Sequence, residues 1–143
     1  MADVWNVVKD SMQWFTWWKG MLSVTEIEAG DETGLHNKRK YTCRSLIPYK
    51  LCFTLHVVKV IEEKFIGGLA DGALTGSGDM HFSYDAATNC TTVICKWHVG
   101  TTVKWMNAFS FMLKPVFAYN HNYLMRQGAK GLAKKLQAKL ISC

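Results

Sequence analysis

The chain has 143 residues, five of them cysteine, with 49% hydrophobic and 13% aromatic content and a formal net charge of +6. That length fits one domain, residues 1–143, and the apolar fraction supplies a core without a disulfide or metal staple, which excludes an intrinsically disordered chain. The excess positive charge sits at one end: residues 101–143 carry seven basic side chains and no Asp or Glu, against ten basic and eleven acidic residues in the remainder.

The opening "MADVWNVVKD" lacks the basic start and apolar stretch of a secretion signal. The cysteines form no Cys-x-x-Cys pair, and Cys43, Cys52, Cys90 and Cys95 fall in apolar or strand-like stretches. Both features point to reduced thiols and a cytoplasmic location. Lys114-Pro115 divides the apolar C-terminal stretch into runs well short of the roughly 20 residues a bilayer span requires.

Residues 3–19 predict two short helices. Asp3 is placed to cap the first, Asp10 or Ser11 the second, and Gly20 to stop it. Trp14, Trp17 and Trp18 read as core anchors or a pocket wall rather than a sugar platform. The period then changes to two. Strands are expected over Met21–Glu28, Leu35–Ser45, a segment from Leu51 past Val57, Glu63–Ala70, Leu74–Tyr84 and Thr91–Val99, with a break at Pro48 and a hairpin turn at Asp85–Asn89. Arg39, Tyr41 and Cys43 share one face; so do Leu51, Phe53, Leu55 and Val57, and again Val93, Cys95, Trp97 and Val99. The short links favour antiparallel pairing.

A single helical segment is expected from Val103 to about Leu140, which Pro115 must start, kink or break. Spacings of three and four put Trp105, Phe109, Met112, Val116, Asn120, Tyr123 and Gln127 on one stripe. Asn120 interrupts it with an amide, where an unpartnered buried group would cost about 1–3 kcal/mol. Aromatic strands facing a helix with a few polar groups describe either a ligand cavity or an aromatic-rich core.

No nucleophile motif is readable: Gly-x-Ser-x-Gly is missing, and the five histidines have no His-x-His or His-Glu-x-x-His spacing, so no metal and no cofactor are expected. "GGLADGALTGSG" lacks the lysine of a phosphate loop, and its glycines suit a sheet that must bend. Arg39 and Tyr41 are the catalytic candidates, one to hold a carbonyl or carboxylate and the other to donate a proton; both also suit structural roles. His121 reads as a surface or helix–helix contact, because it points about 100° away from Asn120. Lys130, Lys134, Lys135 and Lys139 lack interleaved aromatics, so nucleic acid is not an expected partner, while transient contact with a membrane is.

The segments "RKYTCRSLIPYKLCF", "GGLADGALTGSGDMHF", "TTVICKWHV" and "VKWMNAFSFMLKPVFAYNHNYLMRQGAKGL" together resemble the polyketide cyclase/dehydrase-like branch of the START/Bet v 1 (SRPBCC) superfamily. "VWNVVKDSMQWFTWW" resembles the opening helices of that family. The resemblance implies an α+β helix-grip fold: about six antiparallel strands curved around a long C-terminal helix, two short N-terminal helices, and an apolar cavity between sheet and helix. It also implies that the strand usually found before the first helix is missing, which would leave Thr91–Val99 as an open edge; a strand from a partner, a homodimer through that edge, or a start site placed too late would account for it. Cys43, Met80 and Cys95 stand where relatives tend to have bulkier aromatics.

The expected function is binding of a hydrophobic or aromatic small molecule, lipid-like or polyketide-like. The expected lining is Tyr41, Phe53, Leu55, Phe65, Met80, Phe82, Trp97, Phe109, Met112, Asn120 and Tyr123. Two alternatives stand beside it: an aromatase/cyclase-type enzyme that uses polar groups of the cavity, and a lipid carrier that docks through the basic helix.

Overall fold

In a computed structural model of the chain, residues 1–44 and 50–142 are described, apart from the side chains of Trp105, Met106, Ser110 and Leu113. The expected Pro48 break and Cys143 lie outside them. Helix α1 (Ala2–Lys9) is followed by a single 3₁₀ turn (Ser11–Gln13) and the short α2 (Trp14–Trp17). Asp3 does not cap α1; the helix starts two residues earlier than such a cap would place it, which puts Asp3 in the first turn, where its charge favours the helix dipole. The Asp10 side chain makes no capping bond either.

The period-two segments form β1 (Met21–Glu28), β2 (Lys38–Arg44), β3 (Lys50–Ile61), β4 (Phe65–Gly72), β5 (Leu74–Asp85) and β6 (Cys90–Thr101). They pair antiparallel in sequence order as one six-stranded sheet. Among the described residues β6 pairs with β5 alone. Register shifts in β1 and between Val57 and Lys59 of β3 bend the sheet. The second shift also lets Val57 and Val60, an odd number of residues apart, both face the concave side. At the β5–β6 turn, Asp85 accepts from the Ala87 amide and the Thr88 hydroxyl, which closes the expected hairpin.

The C-terminal segment is two helices, α3 (Lys104–Ala108) and α4 (Ser110–Lys135). The helix breaks at Phe109 and runs on through Pro115, so of the three expected effects of the proline it neither starts nor breaks the helix, which stops five residues short of Leu140. The second half of α4 packs on the N-terminal helices. Trp17 and Trp18, stacked 5.7 Å apart, lie against Gly128 and Gly131, and no larger residue would admit them so closely. The architecture is therefore α+β in a helix-grip layout. The buried core joins Trp5, Val8 and Trp14 to Val24, Tyr41, Cys43, Phe53 and Phe82 of the sheet. No helix among the described residues is long and apolar enough to cross a membrane.

Candidate functional site

A cavity of about 140 Å³ lies between the concave sheet face, α2 and the second half of α4. Its aromatic wall is continuous. Trp14 packs 5.0 Å from Trp18 and 5.6 Å from Tyr41; Tyr41 stacks on Phe53 at 5.5 Å; Phe53 meets the Trp97 ring edge-on at 5.7 Å. Leu51, Leu55, Val60, Ile66, Leu74 and Met80 complete the apolar surface. Alternation on β2 and β3 delivers Tyr41, Phe53 and Leu55 to this face, because each inward residue is followed by an outward one.

One end of the cavity is polar. Arg39, mostly buried, donates from Nε and Nη2 to Glu26 Oε2 at 3.2 and 3.0 Å, and from Nη1 to Ser11 Oγ at 2.8 Å. Glu26 and Arg39 are register partners across β1 and β2, so the ion pair follows from strand pairing. Ser11 Oγ lies 2.8 Å from the Tyr41 hydroxyl. These two hydroxyls share two protons, and their mutual bond uses one. Since Ser11 accepts from Arg39, the pair retains one proton with no acceptor among the described residues, whichever hydroxyl donates to the other. Burial raises the Tyr41 phenol above its ordinary value of 10.0, outweighing the opposing effects of the Ser11 bond and the Arg39 charge, so it stays neutral at physiological pH.

Of the residues expected to line a cavity, Tyr41, Phe53, Leu55, Met80 and Trp97 do so together. The other six lie elsewhere. Phe65 belongs to the opposite sheet face, edge-on to His81 and beneath the Lys59 ammonium; its neighbour Ile66 points inward instead. Phe82 is buried under Trp5, with ring centres 5.0 Å apart. Phe109 and Met112 are exposed, because the first half of α4 turns its apolar side outward. Asn120 is buried and Tyr123 half-buried, yet neither reaches the cavity.

The helix instead contributes His121, Leu124 and Met125. His121 thus borders the cavity while staying exposed at the surface, so the surface reading holds and the cavity position is what it lacked; partial desolvation lowers its pKa below the ordinary 6.5. Ser11 was missed because a one-turn 3₁₀ element carries no periodicity. The tryptophans Trp14 and Trp18 take the pocket-wall role, one of the two read for them. Among the widening positions, Cys43 and Met80 border the cavity and Cys95 does not.

The fold and its hollow define a helix-grip protein with a small internal cavity, walled by aromatics and polar at one end. The crystal structure of TTHA0849 from Thermus thermophilus is similar to it, with a TM-score of 0.73 over 93% of this chain and 89% of that one, at 11% sequence identity. At that identity the likeness establishes a shared fold. No protein-family model and no curated protein matches the chain.

Proposed function

We propose that the chain binds a small apolar molecule carrying one oxygen acceptor, with its ring or short acyl chain along the Trp18–Trp14–Tyr41–Phe53–Trp97 wall and its oxygen toward Ser11 and Tyr41. The observation that carries this reading is the hydroxyl proton left without an acceptor among the described residues, at the polar end of a mainly apolar hollow. Size narrows the ligand. An apolar cavity of about 150 Å³ accepts benzene, whereas typical ligand pockets span about 300–1,000 Å³. At about 140 Å³ this one suits a single ring rather than a fused polycycle.

Membership of the SRPBCC superfamily, with its polyketide and lipid ligands, remains part of this proposal; the helix-grip layout supports it. The cyclase reading asks Tyr41 to release a proton, and its raised pKa favours a neutral hydrogen-bonding role instead. The test is a tryptophan-fluorescence titration with acetophenone and with ethylbenzene, one ring each, the first with a carbonyl. The ketone should bind several-fold more tightly. Ser11→Ala or Tyr41→Phe alone leaves one hydroxyl proton in place and should retain most of that preference; the double variant, left with only the N–H groups of Arg39 from this cluster, should show the weakest preference. Equal affinity for both ligands in the unaltered protein refutes the reading.

A further inference from the structure

The first three turns of α4 turn an apolar face to solvent. Phe111 is 88% exposed, Met112 71%, Tyr119 67% and Val116 39%, and Phe109 at the junction with α3 is 57% exposed. At about 100° per residue, Phe111, Met112, Pro115, Val116 and Tyr119 share one sector of the helix, opposite the sector of Asn120, Leu124 and Gly128 that faces the protein. Arg126 and Lys130 continue the outward sector toward the C-terminal end. No acidic residue occurs anywhere in residues 101–143.

Two physical facts choose the occupant. A second copy of the chain packed through this face would set two C-terminal segments together that each carry seven basic side chains and no carboxylate to compensate. A bilayer bearing anionic lipid matches both parts of the face: apolar and aromatic side chains enter the boundary between headgroups and acyl chains, and the cations meet the headgroups. We infer that the outward face of α4 docks on an anionic membrane surface, with Phe111, Met112 and Tyr119 inserted and Arg126 and Lys130 on the headgroups. The helix lies in the plane of the interface and does not span it. Because α4 borders the cavity with His121, Leu124 and Met125, which lie outside the outward sector, the inference is independent of what the cavity holds.

Co-sedimentation with vesicles tests this directly. Binding to vesicles of phosphatidylcholine with 30% phosphatidylserine should exceed binding to pure phosphatidylcholine at least tenfold, and should weaken as NaCl is raised to 0.5 M. The Phe111→Asp/Met112→Asp double variant should bind at least tenfold less. Both side chains already contact solvent, so the fold is kept; Tyr119→Asp supplies a second, independent probe with the same expected direction. Failure to bind phosphatidylserine vesicles, or binding that all these variants leave unchanged, overturns the inference. So does a dimer in sedimentation equilibrium that the double variant dissociates, since the face would then belong to a second copy.

Discussion

The Trp18 indole N–H donates to the Leu124 carbonyl at 2.8 Å, joining residues 106 apart in sequence. Both residues border the cavity, so one hydrogen bond clamps α4 onto α2 and also fixes part of the aromatic wall. Trp18→Phe keeps an aromatic ring but removes the donor and some volume. The expected loss is about 1–2 kcal/mol of unfolding free energy, from one hydrogen bond and partial underpacking. Hydrogen exchange should quicken across the second half of α4 while β3–β5 stay protected. Unchanged exchange in that half would mean that the clamp does not hold the helix.

The glycines of α4 give a prediction whose sign runs against propensity. In a solvent-exposed helix, Gly→Ala stabilises by about 1 kcal/mol. At Gly131, however, a Cβ would overlap the Trp17 carbonyl oxygen, a backbone atom that cannot swing aside. Overpacking of this kind costs about 1–3 kcal/mol, enough to offset the propensity gain. Gly131→Ala should therefore lower the urea midpoint. A raised midpoint would show that α2 and α4 are not held in this close approach.

Much of the sheet was legible because period two is a strong signal: β1 begins and ends where alternation places it, and Val93, Cys95, Trp97 and Val99 face inward as a set. Errors of one residue account for part of what was misread. Exchanging Phe65 for Ile66 reverses the face of a strand, and exchanging Asn120 for His121 turns the helix by about 100°. The helix stripe failed for a different reason. Residues 103–119 are apolar on nearly every side, so hydrophobicity alone does not separate the face on the protein from the face on solvent. The polar end of the cavity was half legible. Arg39 and Tyr41 came from alternation, but Ser11 and Glu26, which hold them, depend on tertiary contacts and strand register.

The cysteines offer a chemical measure of burial. Cys43 borders the cavity, and desolvation, with a smaller contribution from Cys52, pushes its thiol up to about 12; Cys95 is pushed up to about 11 by desolvation. Since the thiolate is the reactive species, both should resist alkylation at pH 8 until the protein unfolds. Iodoacetamide labelling followed by peptide mass spectrometry should find Cys90, only partly buried, modified well ahead of either. Rapid labelling of Cys43 in the folded protein would mean that solvent reaches the cavity floor.

His121 sets the expected pH dependence. Its folded pKa lies below the ordinary 6.5 because partial desolvation favours the neutral ring. As pH falls through 6.5, the unfolded chain takes up the proton first. The stability that depends on a neutral His121 is therefore intact above 6.5, declines between 6.5 and the depressed folded value, and falls no further below it. A ligand in the cavity desolvates the ring more, which makes bound His121 harder still to protonate. Affinity for ethylbenzene should thus be flat from pH 8 to 7 and weaken toward pH 5, with a proton released on binding in that lower range. His121→Gln keeps a polar group at the position but cannot titrate, and its affinity should be level across the same interval. An unaltered protein whose affinity does not change between pH 7 and pH 5 would place His121 away from the bound ligand.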